Sequence, residues 1–169
     1  MPPVAWPLTS NKIRRGLINH TFGMVRDGGK RAHQGWDFEA VPGTPVFAIS
    51  DGTVHLITES AGGDYGMQIS LAFEFNGMTL YAQYCHLSKC IVGNNTKVTR
   101  NTIIGHTGNT GNAKSMKGAD QHLHFEIRLV PRPGRGLGNR LNPIDVYQQH
   151  PPLAVPVLDL HDAYQSIAE

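Results

Sequence analysis

No stretch before residue 140 repeats its apolar residues at the three-to-four spacing of a helix. From Val46 onward short apolar runs, several of them alternating with polar residues, are closed by turn residues. A chain patterned this way buries its apolar side chains by pairing strands across tight turns with one face inward. The 19 glycines and 11 prolines supply the punctuation. Val46–Ile49 and Thr53–Ile57 flank Ser50-Asp51-Gly52 and predict a hairpin. Further strands are expected over Met67–Phe75, Met78–His86, Lys97–Val98, Ile103–His106 and His122–Leu129. The turns between them fall at Asn76-Gly77, Gly93-Asn94-Asn95, Gly108-Asn109 and Gly111-Asn112.

The fold expected is all-β, a compact antiparallel sheet or sandwich with short helical or coil additions at its ends. Residues 1–32 read as extended or looped. Asn142 is placed to cap a short helix with Pro143 at its first position. The tail from Pro151 starts Pro-rich, and Leu158–Ala168 is read as a second helix. The boundaries drawn are an N-terminal extension over 1–15, a single domain over 16–150 and a tail over 151–169. A chain of 169 residues can bury about two-thirds of its unfolded surface, so it folds without staples.

Charge and apolar patterning exclude two function classes. Fifteen Lys and Arg against thirteen Asp and Glu leave +2, scattered along the chain, whereas nucleic-acid binding shows as a concentrated basic patch. No run of 18 apolar residues exists, so no helical membrane span is expected. Cys85 and Cys90 flank His86–Lys89, where either a disulfide across a short loop or two small buried thiols fits. Their spacing matches no paired zinc-thiolate motif.

The nine histidines matter through their spacing. His33-Gln34-Gly35-Trp36-Asp37 is an H-x-x-x-D. On a straight strand its ends would stand roughly 13 Å apart, too far for one ion. Both can bind only if the chain bends, and Gly35 permits that. His122-Leu123-His124-Phe125-Glu126 alternates, with His122, His124 and Glu126 on one face and Leu123, Phe125 and Ile127 on the core side. One imidazole of that pair can ligate a metal while its neighbour reaches the metal-bound water. His86 ends the strand that starts at Met78. One Asp and two His around zinc, with one open position, form a catalytic rather than a structural site. Spare imidazoles beside it can serve as base, acid or oxyanion donor. Glu126 is a candidate partner for a ligating His, and Trp36 and Phe38 read as packing.

The order of these motifs resembles a known family. H-x-x-x-D, then Tyr81-x-x-x-x-His86-Leu87-Ser88, then H-L-H-F-E is similar to the lysostaphin/LytM-like zinc endopeptidases of peptidoglycan. Gly43-Thr44-Pro45-Val46, Ser50–Val54, Ile104–Gly111 and Asn142-Pro143 agree, so the resemblance covers roughly residues 16–147. It implies a LytM-like β domain related to the lipoyl-type hybrid motif, with a narrow groove walled by loops. It implies one Zn²⁺ held by His33, Asp37 and His124, with His122 and His86 handling the water and steadying the oxyanion. The implied substrate is the peptide stems and bridges of the bacterial wall. The mild basicity suits that anionic polymer. Residues 1–10 lack the basic start and apolar run of a secretory signal. Action in the periplasm or outside the cell therefore calls for a targeting segment not in this chain or for another export route.

Three departures from the family pattern bear on specificity. The loop Asn112–Asp120 is longer than the family's and is expected to wall the groove. Pro131–Arg140 adds basic residues after the last long strand. The Tyr that some glycine-bridge-cutting members carry shortly before H-x-x-x-D is absent, Phe22-Gly23-Met24 standing there. That absence favours a D-Ala–diaminopimelate crosslink over a glycine bridge. Among other readings, a non-catalytic amidase-activating relative would have lost metal ligands, and all five positions are filled here. A biotinyl- or lipoyl-type carrier needs a Lys at the hairpin tip, where Ser50-Asp51-Gly52 stands. A zinc carboxypeptidase of another fold has a longer His-to-Asp spacing. His20, His55, His106, His150 and His161 are assigned no role, although His106 lies near the expected groove.

Overall fold

A computed structural model describes residues 4–153. The tail helix expected over Leu158–Ala168, and His161, lie outside the described residues. Among the described residues eleven strands and one short α-helix are formed: β1 (Gly23–Arg26), β2 (Arg31–His33), β3 (Trp36–Glu39), β4 (Pro45–Phe47), β5 (Gly52–Thr58), β6 (Met67–Phe75), β7 (Met78–Cys90), β8 (Lys97–Val98), β9 (Ile103–Thr107), β10 (His122–Arg128), β11 (Arg140–Leu141) and α1 (Ile144–Tyr147). All pairings are antiparallel. The main sheet runs β11-β10-β7-β6-β5-β8, with β3 also on β10 and β9 joining β7 to β4, while β1 and β2 form a separate hairpin. The all-β expectation is met.

The alternation written in the sequence decides the two faces. Ile69, Leu71 and Phe73 of β6, Leu80, Ala82 and Tyr84 of β7, and Leu123, Phe125 and Ile127 of β10 are buried in one apolar core. The residues between them (Ser70, Gln83, His124 and Glu126) point to the opposite face. Asn76-Gly77 makes the two-residue turn from β6 to β7 with both residues at positive φ, the conformation such a turn needs. The first described residues close the core's far side. Val4, Leu8 and Ile13 are buried, and Trp6 stacks 4.2 Å from the Tyr147 ring.

Three local expectations are corrected. Val46–Ile49 and Thr53–Ile57 do not pair with each other: β4 pairs with β9, and β5 with β6 and β8. Asp51 closes this turn instead by accepting the Arg100 amide N–H at 2.7 Å. Asn142 Oδ1 does accept the Ile144 N–H at 3.2 Å, but Pro143 takes the cap position expected of Asn142, and the helix starts one residue later than expected. The third is the end of β7, which continues through His86 to Cys90. Cys85 and Cys90 are accordingly free thiols five positions apart on one strand, farther than a disulfide spans.

Candidate metal centre

β10 is the strand that assembles the site, because it has β3 on one side and β7 on the other. Its register places His124 opposite both Asp37 of β3 and Cys85 of β7. His33 ends β2, and the chain turns at Gln34-Gly35 before β3 begins. The expected bend is there, but the reason for glycine differs from a left-handed backbone. A Cβ on Gly35 would stand 2.1 Å from the Phe125 carbonyl oxygen. Only a residue without one lets β3 lie this close to β10.

His86 owes its aim to a bulge. The β6–β7 register pairs Ile69 with Tyr84 and Met67 with Leu87, so Cys85 and His86 together face Gln68. His86 takes φ 61°, a left-handed conformation that costs an L-residue about 1–2 kcal/mol. Such bulges re-aim side chains beside active sites. The His86 N–H bonds the Tyr65 carbonyl at 2.8 Å, which holds the irregular segment.

His33, Asp37 and His124 each offer a ligand atom within 4.8 Å of the others, and all three are buried. His86 and His122 stand beside them, with ring centroids 5.0 Å apart, and the His122 Nε2 lies 3.7 Å from Asp37 Oδ1. All five residues singled out from the sequence therefore converge.

Each imidazole is anchored by one nitrogen. His33 Nδ1 faces the Thr21 carbonyl oxygen, His86 Nδ1 that of Thr110, and His122 Nδ1 that of Asp120, all at 2.8 Å. Because a carbonyl oxygen only accepts, each of these Nδ1 atoms carries the hydrogen, and in the neutral ring Nε2 holds a lone pair. His124 is anchored the other way round, Nε2 donating to Glu126 Oε1 at 2.8 Å with Nδ1 turned to Asp37.

The donor set fits a divalent cation. His33 Nε2 is 3.1 Å and His124 Nδ1 2.8 Å from Asp37 Oδ1. Two ligand atoms about 2.0–2.1 Å from a tetrahedral zinc stand roughly 3.3 Å apart. A neutral His33 meets the Asp37 carboxylate lone pair to lone pair, a contact that a cation between them resolves.

Electrostatics tell the same story. Burial opposes ionisation of Asp37, but His33, His122, His124 and His20 outweigh it and hold the carboxyl well below its ordinary range. Burial lowers His33 and His122 despite Asp37, and burial with His124 and His122 pushes His86 down to about 3. For His124 the hydrogen bonds it donates to Asp37 and Glu126 overcome burial and raise it to about 9. Without metal, the proton on His124 is thus the cation of the cluster, and a metal must displace it to bind Nδ1.

The surroundings contain residues that sequence spacing did not reveal. Asp37 Oδ2 points away from the cluster and takes His20 Nδ1 at 3.3 Å and Arg26 Nη2 at 3.1 Å, with Arg14 Nη1 at 3.9 Å. His20, assigned no role from the sequence, is one of these anchors. Tyr65 stacks 5.8 Å from the His124 ring, and burial pushes its hydroxyl up to about 12, so it remains a proton donor. Gln34 donates to the Tyr65 hydroxyl. Glu126 partners His124 as anticipated, and its Oε2 also takes Arg128 Nε at 2.6 Å and Arg140 Nε at 2.8 Å.

A cleft of about 450 Å³ opens over the cluster. Five cationic side chains line it (Arg14, Arg26, Lys30, Arg31 and Arg135), against the carboxylates of Asp37 and Asp64. The long loop walls it as expected, through Asn112 and Met116, and the basic extension contributes Arg135 and Gly136. His55 and His106 are not among its lining residues, while Trp36 and Phe38 are core residues.

Comparison with known proteins converges on one family. The model of peptidase family M23 matches residues 31–143. The peptidoglycan DD-endopeptidase ShyA of Vibrio cholerae is 36% identical over 103 residues, 60% of this chain and 21% of that protein. The glycyl-glycine endopeptidase ALE-1 of Staphylococcus capitis is 34% identical over 116 residues, 69% of this chain and 29% of its own length. The chain thus spans only between a fifth and a third of these relatives. The solved catalytic domain of lysostaphin from Staphylococcus simulans superposes with a TM-score of 0.58 at 29% identity, covering 77% of this chain and 89% of that one. Motif order, sheet topology and family match agree that this chain belongs to peptidase family M23.

Proposed function

We propose that the chain is a zinc-dependent endopeptidase that hydrolyses peptide crosslinks of bacterial peptidoglycan, in the periplasm or outside the cell. One observation carries this reading: a buried His33–Asp37–His124 donor set with two further imidazoles facing it that no ligand role requires. A metal-binding shell without chemistry has no use for His86 and His122. Zinc bound there supplies an acidified water and a polarised carbonyl.

The chain's own groups do the rest. His122 Nε2 and His86 Nε2 rest as lone-pair acceptors, because both Nδ1 hydrogens are committed to carbonyls. His122 is the better base, since its Nε2 lies 3.7 Å from the Asp37 carboxylate that stabilises the resulting imidazolium. The proton it takes from the attacking water passes to the departing amine. The protonated ring faces the oxyanion in the interval. Asp37 stays ionised and is oriented through Oδ2 by Arg26 and His20.

The cationic lining of the cleft favours stems that carry carboxylates, which supports a D-Ala–diaminopimelate crosslink over an uncharged glycine bridge. Mass spectrometry of peptidoglycan from both wall types, digested with the zinc-loaded chain, tests this. New diaminopimelate amines with intact glycine bridges are expected. Cut glycine bridges with uncut diaminopimelate crosslinks would reverse the substrate assignment.

A further inference from the structure

A second cleft, of about 350 Å³, lies over β5, β6 and β7 on the polar face of the main sheet, and Tyr65 lines both it and the metal-centre cleft. Its volume falls within the range of about 300–1,000 Å³ typical of ligand sites. Ser70 and Gln83, cross-strand neighbours among its lining residues, are 3% and 4% exposed. Ser70 Oγ and Gln83 Oε1 are buried without a hydrogen-bond partner. Gln83 Nε2 donates to Gln68 Oε1 at 2.6 Å, so the idle Gln83 atom is the acceptor. Buried groups of this kind are rarely left unmatched.

Its charge is one-sided. Arg128 and Arg132 line the cleft and no carboxylate does. Arg132 is exposed and has no ion pair among the described residues. Arg128 is buried, its Nε and Nη1 on Glu126 and the Pro131 carbonyl, and its guanidinium lies 5.6 Å over the Tyr65 ring. An acceptor and a hydroxyl beside guanidinium groups call for a ligand that donates an N–H and, next to it, carries a negative charge. A peptide C-terminus has that arrangement.

We propose that this cleft binds the free C-terminal acyl-amino-acid end of a peptide stem, its amide N–H meeting Gln83 and Ser70 and its carboxylate meeting Arg132, since Arg128 is already held by Glu126 and the Pro131 carbonyl. The inference rests on the proposed peptidoglycan substrate and extends it. A crosslink joins two stems, and a site across Tyr65 from the metal centre holds the end of the stem that is not being cut. Because Arg128 bonds Glu126 and Glu126 bonds His124, the two clefts share one chain of contacts.

The test is equilibrium binding of an N-acetylated stem tetrapeptide with a free C-terminus, and of its C-terminal amide, to the zinc-loaded full chain. The free acid should bind at least about tenfold more tightly than the amide, as one charge-assisted hydrogen bond implies. Arg132→Gln, at an exposed position outside any ion pair, should bring the two affinities to within about twofold. Ser70→Ala should weaken both peptides and keep the preference. Equal affinities for acid and amide, or a preference that survives Arg132→Gln, would overturn the proposal. Turnover is not part of this readout. Selective binding by a chain that leaves crosslinks intact would refute the hydrolytic reading alone, and cleavage without selective binding would refute the cleft alone.

Discussion

His86 carries the most strain of the five residues that converge on the centre. Its φ of 61° and the bulge at Cys85-His86 serve to turn one imidazole into the cleft. A residue free of the left-handed penalty should therefore fit better. His86→Gly should be more stable than His86→Ala by about 1 kcal/mol, measured by guanidinium unfolding, while both lose cleavage. Equal stabilities would mean that the conformation costs nothing and was not imposed for function. Residue roles were only partly legible in the sequence. His122 and His124 announce themselves through strand alternation, and H-x-x-x-D through its place in the motif order. His20, Arg26 and Arg14 do not, because they reach Asp37 Oδ2 from a preceding irregular segment and a separate hairpin, at no spacing a reader could recognise.

Among the elements, β10 is the organiser, and Gly35 shows how closely its neighbour must approach. The Cβ of an alanine there would lie 2.1 Å from the Phe125 carbonyl oxygen, a backbone atom with no side-chain freedom to yield. Gly35→Ala should therefore cost at least about 3 kcal/mol in chemical denaturation and lower zinc occupancy, since β3 carries Asp37. A fully stable, fully loaded variant would show that the β3–β10 approach is not what positions the ligand. Strand existence was legible from period-two patterning for β6, β7 and β10. Partner choice was not: β4 and β5 look like a hairpin across Ser50-Asp51-Gly52, yet β4 pairs with the distant β9, and β5 with the next strand, β6, and with the distant β8. Short range supplies the turn, and the core decides the pairing.

For the molecule as a whole, Glu126 joins the metal centre to the loop after β10. It is fully buried, and its carboxylate binds His124, Arg128 and Arg140, while Arg140 also holds the carbonyls of Gly134 and Gly136. Burial opposes its charge, but His124 and Arg128 prevail and its carboxyl is held below the ordinary 4.5. A depressed carboxyl stabilises the fold fully above 4.5 and loses that contribution as pH falls below it. Unfolding free energy of the metal-free chain should thus fall steeply below pH 4.5, and less steeply in Glu126→Gln, which should itself cost about 3 kcal/mol at pH 7. Parallel pH profiles for the two proteins would remove Glu126 from this role.

The centre itself is tested most directly by zinc content and peptidoglycan cleavage measured together on His33→Ala and His122→Ala. His33→Ala should lose both metal and cleavage, whereas His122→Ala should keep the metal and cleave at least about a hundredfold more slowly. Zinc retained by His33→Ala, or cleavage retained by His122→Ala, would contradict these roles.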